Sequence, residues 1–524
     1  MDRRSLLAAG MAGLAGCAKQ GAPVGESRGA ALEDVSLAEL SDGLSQGRWT
    51  SAKLVEFYTK RAAGIDSGGP ALRSILELNP GAEREAWRLD EERKQGRVRG
   101  RLHGVPVLIK DNIDTADSTM TTAGSLALSG WRAPADATLV RQLRQAGALI
   151  FGKTNLSEWA NFRSLRSTSG WSGRGGQTRN PHVLDRNPSG SSSGSAVAVA
   201  AGLCGAAIGT ETDGSIVSPA SVNGIVGIKP TVGLVSRAGI IPISHSQDTA
   251  GPMARCVLDA AILLDALTGV DTRDHATATQ KGHSVGHYAE ALSATALRGA
   301  KLGLVRAFLQ NFPAVDKVLE ETLRVLRERG ATVVEVTLDG GAKLGQAEFE
   351  VLLYEFKAGL EAYLAQLPPE MPHSLGELIE FNKRNAAAEM PWFAQEILEL
   401  AAKKGPLTDT AYTEARRTCL RIARSEGIDA VMAKHSLDAM VGMTDGPAWP
   451  TDWLNGDHFS GGSAMWAAVA GYPHVTVPAG MVGKLPVGFS FFGRAWSERA
   501  LLPLAGAFEH ATEARRKPGF LATV

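Results

Sequence analysis

The sequence predicts a single α/β domain around a largely buried sheet, and two patterns carry that prediction. Helical and strand periodicities alternate along the chain, and the strand candidates are apolar on both faces. A chain of 524 residues with 44% hydrophobic composition can bury a large core, and the domain is assigned to residues 31–524. Ser36-Leu37-Ala38-Glu39 is a capping box that opens a helix with Leu37, Leu40 and Leu44 on one side. A second helix follows from Thr50, and Glu83 to Lys94 reads as a charged surface helix. Val105 to Ile109 has the length and apolarity of a buried strand. A helix from Thr138 to Gln145 then leads to a strand at Ala148 to Phe151. Further on, Lys301 to Val305 reads as strand, Val315 to Arg329 as helix and Thr332 to Val336 as strand. Residues 346–422 are mostly helical by pattern. Strands return at Ala430 to Met432, Ala439 to Val441, Val475 to Val477 and Val487 to Phe492.

Charge and cysteines narrow the function class. The 55 basic and 55 acidic residues cancel to a formal net charge of +0, so no basic surplus points to nucleic acid and no charge run to an interaction tail. Cys17, Cys204, Cys256 and Cys419 show neither a disulfide framework nor a metal pattern, and Cys204, in an Ala/Gly run, reads as a buried small apolar residue. Arg3-Arg4 precedes an apolar stretch too short to span a membrane, and Leu14-Ala15-Gly16-Cys17 is similar to a bacterial lipobox. The expectation is a twin-arginine signal over residues 1–16 and a Gly/Ala/Ser-rich tether over 17–30. The mature protein would be exported, periplasmic or membrane-anchored, and would meet the membrane only through a lipid on Cys17. The bland alternative is a plain cleaved signal with Cys17 incidental.

The chemistry concentrates in Ser189 to Asn223. Two serine-bearing glycine turns, Gly190-Ser191-Ser192-Ser193-Gly194 and Thr212-Asp213-Gly214-Ser215, flank an Ala/Val-rich segment that is uncharged until Glu211. Hydroxyls between tight turns, backed by a buried helix and strand, describe an active-site floor. Lys110, closing the run Val105-Pro106-Val107-Leu108-Ile109, could serve them, because a lysine becomes a base only when burial or nearby donors lower its pKa. The residues alone leave open a strand-end lysine that reaches solvent. Two motifs compete. Gly147 to Thr154 fits the phosphate-loop formula, but its inner residues Ala-Leu-Ile-Phe are a strand rather than a cradle of exposed amides. Gly190 to Gly194 fits the nucleophile elbow and nominates Ser192, with His435, His458 or His474 downstream; that leaves the second turn and the lysine unexplained.

Together these segments resemble the amidase signature family. The similarity continues through Ile225 to Arg255 to the C-terminal GYPHVTVPAG and LPVGFSFFG, and so covers the chain after about Leu37. The resemblance implies a mixed central sheet covered by helices on both faces, and a Ser-cisSer-Lys set. Ser215 would be the acyl-forming nucleophile, Ser191 the bridging serine behind a cis Gly190–Ser191 bond, and Lys110 the base. The backbone N–H groups of Thr212, Asp213, Gly214 and Ser215 would form the oxyanion hole. Asn112, Arg186, Ser192, Gln247 and Asp248 are candidates to support this set, or else cap their own loops. Ser189 and Ser193 stand where the family usually has glycine, which restricts the backbone there. The nearest pattern within the family is that of bacterial peptide amidases, with GTETDGSI and a GPAW…NGD stretch. The implied reaction is hydrolysis of a carboxamide, a C-terminal peptide amide or amino-acid amide, through an acyl-serine. Neither cofactor, metal nor nucleic acid is implied, and a monomer or homodimer is expected. The alternatives are an aryl acylamidase or other amide hydrolase, the glutaminase component of a tRNA-dependent amidotransferase, and a non-catalytic amide-binding lipoprotein.

Overall fold

The computed structural model describes residues 31–309 and 312–524; the signal, lipidation and tether readings lie outside the described residues. The strands are β1 (Ile75–Leu78), β2 (Pro106–Lys110), β3 (Leu149–Thr154), β4 (Trp171–Ser172), β5 (Gly176–Gln177), β6 (Ala206–Glu211), β7 (Val226–Lys229), β8 (Thr249–Ala254), β9 (Lys301–Leu304), β10 (Thr332–Glu335), β11 (Ala439–Met443), β12 (His474–Val482) and β13 (Leu485–Phe492). Among the described residues, β4 and β5 form a small hairpin. The other eleven form one mixed sheet in the order β1-β3-β2-β6-β8-β7-β12-β13-β11-β9-β10. Every residue of β2, β3, β6, β7, β8, β11 and β13 is buried, which explains their unbroken apolar runs: helices flank the sheet, and neither face of these strands meets water.

The local signals act as the sequence dictates. Ser36 and Glu39 close the capping box at the helix Leu37–Ser45, and Thr50 caps Ser51–Arg61. One reading fails. Ala430 to Met432 is not a strand but lies in the helix Asp429–His435. Three apolar residues are too few to distinguish a period of 2 from 3.6. The helix instead buries Met432 in a cluster with Leu437, Met440 and Trp466.

Two features of the sheet position the site. β2 runs parallel to its neighbour β6, with Val107 opposite Ala206 and Ile109 opposite Ile208, so Lys110 and the turn after Glu211 emerge at the same sheet edge. The helix Ser193–Ala200, all eight residues buried, packs on β2, β3, β6 and β8 and carries the first serine turn to that edge. Its close approach requires Gly194, where an added Cβ would press into the Ser74 carbonyl and the Asn155 backbone. Gly194→Ala is therefore expected to lower stability by about 1–3 kcal/mol, measured as a lower urea midpoint. An unchanged midpoint would contradict this packing.

Candidate active site

Lys110 is fully buried. Its Nζ lies 2.7 Å from Ser191 Oγ, 3.0 Å from Ser192 Oγ, 2.8 Å from Thr210 Oγ1 and 3.2 Å from the Thr210 carbonyl. A neutral amine suits this ring, since it offers two N–H donors and one lone pair able to accept a serine O–H. Burial holds the amine well below the ordinary 10.5, while the carboxylates of Glu211 and Asp248 pull the other way. The solvent-reaching lysine is thus excluded. Thr210 was not legible as a site residue; its only signal is that it stands beside Glu211 at the end of β6. Asn112 Nδ2 holds the Thr210 hydroxyl at 3.1 Å.

The first turn sits against this amine. The Gly190–Ser191 peptide bond is cis, and Ser191 is fully buried. Ser192 Oγ donates to the Thr210 carbonyl at 3.0 Å, and the Ser192 amide donates to the Ser215 carbonyl at 3.1 Å, which joins the two turns. Ser192 therefore ties the floor together, and no histidine hydrogen-bonds to it among the described residues. His474 is buried elsewhere, against Ser463 and Ser490. Ser189 takes the left-handed φ of +59° that favours glycine. Its hydroxyl and backbone compensate: Ser189 Oγ meets Ser218 Oγ at 2.6 Å, and the Ser189 carbonyl accepts from Ser193 Oγ at 2.6 Å. The two serines that replace glycines thus clasp the turn between them.

The second turn is held from behind. Glu211 Oε2 accepts from the amides of Ile216 at 2.8 Å and Val217 at 3.0 Å, folding the chain back on itself. Gly214 supplies the φ of +78° that this loop requires. Thr212 Oγ1 donates to Asp248 Oδ1 at 2.6 Å, and Gln247 Nε2 reaches the Thr212 carbonyl at 3.3 Å and Glu348 Oε1 at 2.7 Å. Burial pushes Asp248 up to about 6, against the hydrogen bonds it receives. Burial and the charge of Glu211 push Asp213 up to about 7, with Lys229 opposing. The Asp213 and Ser215 amides donate to no backbone carbonyl among the described residues. The Ser215 side chain is 8% exposed. No hydrogen bond joins its hydroxyl to Ser191 here; such contacts commonly tighten only with substrate in place.

A cavity of about 370 Å³ opens over this floor, lined by Ser189, Gly190, Asp213, Gly214, Ser218 and Asp445, with Trp449, Asp457, Phe459 and Met465 on its walls. Its size suits a small organic or peptide guest. Its mouth is apolar, with Leu165 67% and Phe459 52% exposed. The same 449–459 loop lines a neighbouring cleft with stacked Trp392 and Trp453, ring centroids 4.9 Å apart. Of the candidates, Lys110, Asn112, Ser191, Ser192, Thr212–Ser215, Gln247 and Asp248 come together. Arg186 does not. It pairs with Asp185 at 3.2 Å, and its backbone bridges to Pro450, so it anchors the 449–451 loop instead. The Gly147–Thr154 motif is strand β3, with Lys153 buried and donating to the Ile113 carbonyl at 2.6 Å. That is a structural role, as its apolar interior implied.

Comparison with known proteins identifies a family. Residues 53–502 match the Amidase family. A probable amidase of Arabidopsis thaliana is 40% identical over 94% of this chain and 92% of its own length. The X-ray structure of native peptide amidase from Stenotrophomonas maltophilia superposes with a TM-score of 0.89 at 52% identity, covering 93% of this chain and 99% of that one. A glutamyl-tRNA(Gln) amidotransferase component from Acinetobacter baumannii is more distant, 33% identical over 94% of this chain and 99% of its own.

The buried amine makes a stability prediction. At pH values between its lowered pKa and 10.5, the unfolded chain takes up a proton on Lys110 that the folded protein does not. Stability therefore gains up to about 1.4 kcal/mol per unit of rising pH from this group, and Lys110→Met lacks that contribution. Urea unfolding of both proteins up to about pH 9.5 measures the difference, and parallel curves would mean that folded Lys110 is charged.

Proposed function

The chain belongs to the amidase family, whose members hydrolyse amide C–N bonds, and on that premise we propose that it converts a primary carboxamide to carboxylate and ammonia through an acyl-serine. The single observation that carries the proposal is the Lys110 amine, buried and hydrogen-bonded to Ser191 beside the Ser215 turn. In this reading neutral Lys110 takes the Ser191 proton as Ser191 takes that of Ser215. Ser215 Oγ attacks the carbonyl carbon, and the turn amides receive the oxyanion. The proton returns through Ser191 to the nitrogen, the C–N bond breaks and NH3 leaves. Water then enters by the same relay and releases R–COOH, so that R–CO–NH2 + H2O gives R–COOH + NH3.

The substrate we favour is a C-terminal peptide amide or amino-acid amide, supported by the likeness to peptide amidase. The apolar mouth, with Leu165 and Phe459, suits the acyl side chain. Free glutamine, the substrate of the amidotransferase reading, carries a carboxylate, and no lysine or arginine lines the cavity among the described residues to receive it. We also propose export, with cleavage before Cys17 and a lipid on its sulfur, on the sequence pattern alone.

Purified protein should release ammonia from peptide amides more readily than from aryl amides or glutamine. Ser215→Ala and Lys110→Ala should each lose about 10⁴-fold in turnover, and Ser215→Ala should also lose labelling by a fluorophosphonate. Ammonia release unchanged in Ser215→Ala would refute the acyl-serine, and retained activity in Lys110→Ala would refute the lysine base. For the export proposal, mass spectrometry of the mature N-terminus should find a diacylglyceryl-modified Cys17. An unmodified start elsewhere would end that reading.

A further inference from the structure

Asp445 follows β11 and is 1% exposed, yet neither of its carboxyl oxygens has a hydrogen-bond partner. Its backbone bridges to Gly462, and it lines the cavity beside Asp213, Gly214 and Ser218. Ser218 lies next to its carboxyl but outside hydrogen-bonding geometry. Burial pushes its pKa well above the ordinary carboxylate value, with the nearby Ser218 hydroxyl opposing and the charges of Glu211 and Asp213 reinforcing it. Asp457, on the same wall, is by contrast satisfied: it accepts from the Ser169 amide at 2.9 Å, Trp449 Nε1 at 3.2 Å and Asn187 Nδ2 at 3.3 Å.

A buried acceptor without a partner costs about 1–3 kcal/mol, and the nearest donor among the described residues, the Ser218 hydroxyl, is paired with Ser189 instead. A guest in the cavity can supply one. It must bring a hydrogen-bond donor rather than an acid, because three aspartates and no basic side chain line the cavity among the described residues, and the donor an amide guest brings is N–H. An α-amino-acid amide has two such nitrogens. The leaving nitrogen must face the Ser191–Lys110 relay beneath the floor to be protonated, which leaves the α-nitrogen, two bonds from the reacting carbon. We propose that Asp445 binds the α-nitrogen N–H of an α-amino-acid amide, as a peptide N–H or an α-ammonium, and so selects these amides over simple carboxamides. The inference rests on the carboxamide hydrolysis proposed above.

The test compares N-acetyl-L-phenylalaninamide, L-phenylalaninamide and 3-phenylpropanamide, which keeps the carboxamide but lacks the α-nitrogen. Wild-type kcat/KM should favour the acetylated amide over 3-phenylpropanamide by about tenfold or more. Asp445→Ala should abolish that preference while changing 3-phenylpropanamide hydrolysis less than about threefold. Asp445→Asn, which keeps an acceptor oxygen, should restore most of the preference and guards against a fold defect in the alanine variant. A larger loss with L-phenylalaninamide than with the acetylated amide assigns the ammonium, and the reverse assigns the peptide N–H. Equal losses on all three amides, or none, overturn the inference while leaving amide hydrolysis standing. If wild type cleaves none of the three although fluorophosphonate labels Ser215, the substrate reading falls and takes this inference with it.

Discussion

The burial of one amine governs this site. Lys110 ends a fully buried strand, and its nitrogen can be accommodated there only if it is neutral or surrounded by oxygens. The protein supplies the oxygens, and burial shifts the amine toward its neutral form. Two serine hydroxyls and the hydroxyl and carbonyl of Thr210 surround the nitrogen, and two of these are held in turn: Ser192 by the Thr210 backbone, the Thr210 hydroxyl by Asn112. Removing any one oxygen would leave the amine less compensated, so the hydroxyl ring is a condition of the fold as much as of the chemistry.

The second constraint is the shape of the nucleophile's turn. The Asp213 and Ser215 amides donate to no backbone carbonyl among the described residues, so the turn's restraints come from behind. Glu211 ties down the amides after the turn, Asp248 the Thr212 hydroxyl and Gln247 its carbonyl. Gln247 in turn leans on Glu348, in the long helix Gly341–Leu364, which connects the turn to the helical region far along the chain.

Much of this was legible because it is local. The strand run before Lys110, the paired serine turns and the capping box at Ser36 are short patterns whose physics is decided within a few residues. Thr210 was missed because only the pairing of β2 with β6 shows that it faces Lys110. Glu348 and Asp445 were missed because they arrive from elements far along the chain; Asp445 directly precedes the GPAW stretch, but that pattern does not single it out. Arg186 pairs with Asp185 and its backbone meets the 449–451 loop, a partner that its place in the sequence near the first turn does not announce. The three apolar residues at 430–432 failed because a run that short has no readable period.

The parallel pairing of β2 and β6 has an effect on how the molecule can vary. Neighbouring strands sit about 4.8 Å apart because backbone hydrogen bonding sets that spacing. The sheet therefore acts as a ruler between the strand that ends in Lys110 and the strand that leads to Ser215. The chain between them, which makes two helices, another strand, a hairpin, several loops and the Ser191 turn, does not measure that interval. Its surface loops can lengthen, shorten or be rebuilt while the separation between the two strand ends and the buried serine turn stay in place, so the scaffold can take on new mouths and new guests without resetting its reactive centre.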